Sequence, residues 1–333
     1  SFWCRLYLGL GTPQILKITM QQHNLAFVFP GQGSQSVGML AQLAETYPVV
    51  KDTFAEASAV LGFDLWDLVA NGPDTELNKT QNTQPAMLAA GVAVWRVWCE
   101  QSSVRPAFMA GHSLGEYTAL VCSGAMAFSD AIRLVAERGR LMQEAVPAGV
   151  GAMAAIIGLD DQQVVEGCAE AANGQVVAAA NYNAPGQVVI AGETAAVERA
   201  METLKAKGAK RALPLPVSVP SHCLLMQSAA EQLDQVLQTL AVQQPEVTLI
   251  HNADVQSHPQ ADELRLALKQ QLFMPVRWVE CVSAMQAQGV TQFVECGPGK
   301  VLLGLNKRIA ADASHASLFD NDSLNAVLEQ LNG

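Results

Sequence analysis

The apolar and polar positions of this chain follow two periods in alternation. Short unbroken apolar runs, Leu25-Ala26-Phe27-Val28-Phe29 and Ala107-Phe108-Met109-Ala110, predict strands buried on both faces. Apolar residues at helical spacing predict helices at about 38–46, 51–61, 84–101 and 130–145, the third with Thr83 as N-cap and Pro85 just inside. This alternation implies an α/β fold with a mostly parallel sheet and active groups at the carboxyl ends of its strands. From residue 150 the pattern changes. Strands at 150–157, 175–181, 187–191 and 211–215 enclose helices at 160–171 and 194–207, with Asn183-Ala184-Pro185-Gly186 as the central turn. The β-α-β-β-α-β order is the ferredoxin-like pattern. It predicts a small domain, 148–217, inserted into a large one made of 20–147 and 218–333, with a ligand cleft between them. A strand at 247–250 and an amphipathic helix at 224–240 belong to the large part.

Residues 1–19 stand apart. They are apolar at the start but lack a basic n-region and an Ala-x-Ala cleavage site, so a secretory signal is not expected. They read as an upstream-translated or vector-derived leader outside the fold, with Met20 placed where a natural start would fit.

Three residues stand out chemically. Gly111-His112-Ser113-Leu114-Gly115 falls between a predicted strand and a predicted helix, the setting of a nucleophile elbow. A turn that sharp needs glycine on both sides, lifts the Ser113 oxygen above the sheet edge, and aims the helix N-terminus at an oxyanion formed there. Arg138 interrupts the apolar stripe Leu134, Val135, Leu141, Met142 and Ala145, while Arg133, Glu137, Arg140 and Glu144 mark a solvated face. An inward guanidinium is costly unless it meets an anion, either a buried carboxylate of the chain or the carboxylate of a substrate. A serine nucleophile also needs a base. His222 is the best placed of the six histidines because it precedes the predicted helix at 224–240, whose dipole would hold it neutral. His251 follows a strand and remains open, whereas His112 should point away from Ser113. No acidic residue lies near His222 in sequence, so a Ser–His dyad leaning on a backbone carbonyl is expected rather than a triad.

Composition narrows the class. The 333 residues are 50% hydrophobic and 15% charged, enough to bury a large core. A net charge of -11 argues against nucleic acid or an anionic membrane surface as partner. No run of 18 apolar residues occurs, and the seven cysteines show no C-x-x-C spacing, as expected of reduced thiols in a cytoplasmic protein. No metal-ligand spacing is found. Gly297-Pro298-Gly299-Lys300 is not a phosphate loop and reads as a strand-to-helix turn.

Several motifs together are more specific than any one. Phe29-Pro30-Gly31-Gln32-Gly33-Ser34-Gln35, Thr83-Gln84-Pro85-Ala86, the Ser113 segment with Glu116, and Arg138-Gly139 stand in one order and spacing. So do Asn181-Tyr182-Asn183-Ala184-Pro185-Gly186-Gln187, Val219-Pro220-Ser221-His222 and Glu295-Cys296-Gly297-Pro298-Gly299. In these the chain resembles the malonyl-CoA:acyl carrier protein transacylases of bacterial type II fatty acid synthesis, over essentially all of 20–310. Its departures are small: the leader, and Met274 and Cys296 at variable motif positions. The resemblance implies an α/β-hydrolase-like large domain with a ferredoxin-like insert. It implies Ser113 as the acylated nucleophile, His222 as base and acid, and Arg138 on the malonyl carboxylate. It further implies the backbone N–H groups of Gln32 and Leu114 as oxyanion hole and Gln271 as support for the Ser–His pair. The partners implied are malonyl-CoA and holo acyl carrier protein, with no cofactor beyond the coenzyme A thioester substrate, the enzyme acting as a monomer. A serine thioesterase or esterase is the alternative. Lys205, Lys207, Lys210 and Arg211 form a local basic patch suited to an acidic carrier.

Overall fold

The computed structural model describes residues 19–217 and 219–332, so the predicted leader lies outside the described residues apart from Thr19. Among the described residues nine strands form two sheets: β1 Met20–Phe29, β2 Val104–Gly111, β3 Gly151–Ile157, β4 Val177–Ala184, β5 Gln187–Glu193, β6 Arg211–Pro214, β7 Thr248–Leu249, β8 Gln292–Cys296 and β9 Ser314–Leu318. The first sheet has the order β7-β2-β1-β8-β9 and every pairing in it is parallel. The second has the order β4-β5-β3-β6 and is antiparallel throughout. Among the described residues no helix is long and apolar enough to cross a membrane.

The apolar run in β1 forms the middle of the parallel sheet because both of its faces are covered. Leu25, Phe27 and Phe29 pack into one helical layer, where the Phe27 ring meets Trp95 and Trp98 at centroid distances of 5.5 and 5.6 Å. Ala26 and Val28 face the other layer, against Trp278, Met285, Leu302 and Leu305. Burial on both sides explains why this strand carries no polar alternation.

The second sheet covers only one face with helices. Asp161–Ala172 and Thr194–Ala206 bury Val164, Cys168, Val197 and Leu204 against Ile156, Val188 and Ile190. The opposite face, with Met153, Ala180, Val189 and Ala191, turns toward Leu215, Val217 and Cys223. The observed order, β3, helix, β4, β5, helix, β6, is the one the sequence pattern predicts. Main-chain bonds from Tyr182 N to Val276 O and from Val276 N to Ala180 O tie β4 to the segment between the helices Ala261–Gln271 and Trp278–Ala287.

Local readings differ from the structure in three informative places. The helix predicted over 84–101 runs Thr80–Gln101, so Thr83 is not its N-cap and Pro85 lies inside it. Thr83 Oγ1 instead donates back to the Leu77 and Lys79 carbonyls. The start of this helix is held by tertiary contact, since a Cβ on Gly139 would stand 2.8 Å from Gln81 Cα. Gly139 thus lets the helix Phe128–Ala145 approach closely, which brings its neighbour Arg138 to Gln84. The helix predicted over 224–240 consists of a 3₁₀ turn, Leu224–Met226, followed by an α-helix, Gln227–Leu237. Finally, β1 begins at Met20 rather than 25, its first, largely exposed residues pairing with β2.

Candidate active site

β2 ends at Gly111 and the helix Gly115–Cys122 starts four residues on. Ser113 between them has φ 53°, a left-handed conformation that non-glycine residues adopt only when their surroundings impose it. The surroundings do so. A Cβ on Gly111 would come within 1.9 Å of the Gly115 carbonyl, and one on Gly115 within 2.1 Å of Phe29 O. The glycine pair is therefore the condition for the elbow.

Ser113 Oγ lies 2.7 Å from His222 Nε2, and His222 Nδ1 lies 2.7 Å from the Gln271 carbonyl oxygen. A carbonyl can only accept, so Nδ1 carries the proton and the Nε2 lone pair faces the serine hydroxyl. His222 is buried and also left-handed, with φ 60°. Its pKa is pushed down to about 3 by burial first and by the Arg138 charge second. The helix dipole is not the cause, since Gln227–Leu237 begins five residues later. The other two candidate histidines, His112 and His251, have different partners. His112 Nε2 is 2.7 Å from Asn183 Oδ1 and its ring meets Trp278, while His251 Nδ1 sits 3.6 Å from Glu116 Oε2.

Arg138 is 1% exposed and lies on the buried face of its helix with Leu134, Val135, Leu141 and Met142. Arg140, Glu137 and Glu144 pair with one another on the exposed face. Its guanidinium donates to Gln84 Oε1 at 2.8 Å, Gln271 Oε1 at 3.0 Å and Ser113 Oγ at 3.4 Å, and stands 5.2 Å from the Tyr117 ring centre. Every hydrogen-bond partner is neutral. Among the described residues no carboxylate forms an ion pair with it, and its Nε has no acceptor. A buried cation held by neutral groups beside a serine hydroxyl is chemically suited to receive an anionic group.

The Gln32 and Leu114 N–H groups have no protein acceptor among the described residues. Both residues line the same cavity of about 240 Å³ as Ser113, His222 and Arg138. Its opposite wall comes from the antiparallel sheet and its exit, Met153, Asn181, Asn183, Val189 and Leu215. Gln271, in the helix Ala261–Gln271, contacts all three functional residues: His222 through its carbonyl, Arg138 through Oε1, and Ser113 O through Nε2 at 2.8 Å. Sequence reasoning overlooked Asn252, whose side chain bonds Ser113 N and Gly111 O. Its place just past a parallel strand was the available signal. An asparagine after a two-residue strand, however, reads as an ordinary turn.

The fold and this arrangement define an α/β enzyme with a serine–histidine pair poised for acyl transfer. The chain belongs to the acyl transferase domain family, which matches residues 26–319. It is 58% identical over 304 residues to the malonyl CoA-acyl carrier protein transacylase of Escherichia coli (strain K12), covering 91% of this chain and 98% of that one. The transacylase of Bacillus subtilis (strain 168) is 43% identical over 310 residues, 92% and 97% of the two chains. The crystal structure of an acyl carrier protein S-malonyltransferase from Vibrio cholerae superposes with a TM-score of 0.90 at 58% identity, over 91% of this chain and 99% of that one. A malonyl-transacylase in complex with its type II PKS acyl-carrier protein gives 0.91 at 57%, over 92% and 99%.

Proposed function

We propose that this enzyme transfers the malonyl group of malonyl-CoA to the phosphopantetheine thiol of holo acyl carrier protein through a malonyl ester on Ser113. The observation that carries this reading is Arg138: buried, cationic, without a carboxylate partner among the described residues, and 3.4 Å from Ser113 Oγ. An acyl group that places a carboxylate there while its thioester carbonyl meets Ser113 must be a short dicarboxylic one. The names of the relatives agree with that chemistry.

The steps follow from the contacts. His222 Nε2 accepts the Ser113 proton as Oγ attacks the thioester carbonyl, and the tetrahedral oxyanion takes hydrogen bonds from the Gln32 and Leu114 N–H groups. The C–S bond breaks and coenzyme A leaves as thiol with the proton from His222. The carrier thiol then gives its proton to the same imidazole and attacks the seryl ester, which returns Ser113. Arg138 lies within reach in both halves, so the malonate remains anchored while the leaving groups exchange.

The parallel-sheet part reads as an α/β-hydrolase-like large domain, 20–147 with 218–333, and 148–217 as its ferredoxin-like insert. One chain supplies every group named, consistent with a monomer, and the reduced thiols of Cys122, Cys168, Cys223, Cys281 and Cys296 fit the cytoplasm. Intact mass tests the reading. Malonyl-CoA should add one malonyl group to the enzyme, and holo carrier protein should remove it and gain it. An adduct lost to water as fast with carrier as without would make the enzyme a thioesterase.

A further inference from the structure

The strained Ser113 turn is gripped from outside by one side chain. Asn252, just past β7, accepts from Ser113 N at Oδ1 (2.9 Å) and from Gln271 Nε2 at the same oxygen (3.3 Å). Its Nδ2 donates to Gly111 O at 2.7 Å. The amide orientation is dictated, because Ser113 N–H can only donate and Gly111 C=O can only accept. The backbone groups on either side of His112, Gly111 O and Ser113 N, are thus fixed by one rigid planar amide.

Asn252 is itself fixed. Its main-chain N–H donates to Glu116 Oε1 at 2.6 Å, and its carbonyl accepts from Arg277 N at 3.2 Å. Glu116 is fully buried in the first turn of the helix that follows the elbow, with His251 Nδ1 3.6 Å from its second oxygen. The titratable groups around Asn252 are Glu116, His251 and the buried Cys281 thiol, with Arg138 and His222 beyond Gln271.

We infer that Asn252 is the positioning residue of the nucleophile elbow: it occupies the Ser113 N–H, holds Ser113 left-handed, and leaves the Leu114 N–H as the elbow amide free for the oxyanion. The inference rests on Ser113 as the acylated nucleophile and adds the group that aims it. Backbone strain persists only where surrounding contacts over-determine it, and the Asn252 bonds supply that constraint.

The test measures single-turnover malonyl-enzyme formation, the KM for malonyl-CoA and the folded fraction by circular dichroism. Asn252→Ala should slow acylation about 100-fold, the cost of displacing a reacting group by about an ångström, with the KM changed less than about threefold. Asn252→Asp gives a signature that loss of stability does not. A protonated carboxyl can donate to Gly111 O and still accept from Ser113 N–H; an ionised one faces Gly111 O as an anion. Burial, with the Glu116 carboxylate close by, raises that carboxyl above its ordinary range. Acylation by Asn252→Asp should therefore fall at least about tenfold between pH 5 and pH 8, where the unmodified enzyme does not decline. A profile parallel to that of the unmodified enzyme overturns the inference. So does folded Asn252→Ala acylating within threefold of normal, or a loss in both variants accounted for by the unfolded fraction. Failure of the unmodified enzyme to form any malonyl adduct would instead strike the proposed function.

Discussion

The two sheets divide the work unequally. The parallel sheet is buried on both faces, and its carboxyl ends deliver Gln32 after β1, Ser113 after β2 and Asn252 after β7 to one place. The antiparallel sheet has helices on one face only, and it offers the cavity a wall of Met153, Asn181, Asn183, Val189 and Leu215 with no acid, base or nucleophile among them. The difference has a physical source. In a parallel sheet all strands end on the same side, and each chain then turns into a helix, so loops and helix N-termini converge. In an antiparallel sheet the ends alternate and no such convergence arises. On the proposed reading the small sheet shapes the ligand space, and the large one performs the chemistry.

The strongest way to break this division is Ser113→Ala. Transfer should fall by more than about 10⁴-fold, as when a nucleophile is deleted from a Ser–His unit. No malonyl adduct should appear by mass. An adduct retained at wild-type level would move the nucleophile elsewhere.

Next in size is Arg138→Ala. Removing one partner of a buried charge pair costs about 3–5 kcal/mol, so kcat/KM for malonyl-CoA should drop roughly 10²–10⁴-fold. Acetyl transfer, which brings no carboxylate, should be spared or raised. An equal loss with both thioesters would make Arg138 a structural cation.

The pH dependence is a smaller effect with a definite sign. His222 titrates near 3 in the folded protein against an ordinary 6.5, so its neutral, proton-accepting form persists well below pH 6.5. The acid limb of kcat/KM should lie below 6.5, and Arg138→Gln, which removes a neighbouring cation, should move it upward when acetyl-CoA is the substrate. The unfolded chain binds this proton near 6.5 and the native state only near 3. This group therefore withdraws stability as the pH falls through that window, and none above it. A limb at or above 6.5 in the unmodified enzyme would contradict the burial argument.

The smallest effect should come from the small sheet. Lys207 is already paired with Glu170 at 2.9 Å, which leaves Lys210 and Arg211 as the stronger part of the basic patch. Arg211 registers with Ile157, and Ile157 with Gln187, whose side chain accepts from Arg308 at 2.9 Å. Two strand spacings of about 4.8 Å each therefore separate Arg211 from Gln187, the residue that the large part's Arg308 binds. Reversing charge at Lys210 and Arg211 should raise the carrier KM several-fold at low salt, less at high salt, and leave acylation by malonyl-CoA alone. A slowed first half-reaction would give the small sheet a share of the chemistry after all.

Legibility followed the range of the forces involved. The buried strands and the order of the inserted unit were readable because apolar periodicity is a local record of burial. The elbow was readable for a related reason, since two glycines four apart on a strand-to-helix turn are a steric requirement written into neighbouring residues. Arg138 was readable as an anomaly on an apolar stripe. The start of the helix Thr80–Gln101 was not, because Thr83 and Pro85 carry a local signal that the close approach of Gly139 overrides.

By itself the sequence determined the two-period architecture, the glycines that permit a left-handed Ser113, and an inward arginine that called for an anion. Only the tertiary structure decided that the anion is not one of the chain's own carboxylates among the described residues, because ion pairing depends on which elements meet. It alone placed the Gln271 carbonyl against His222 and Asn252 against Ser113, 49 and 139 residues away. It also exchanged the cause of the neutral imidazole, from a helix end that does not reach His222 to burial beside Arg138. Helical and strand periods are set between near neighbours, whereas a proton's affinity and a side chain's aim depend on groups that only folding brings together.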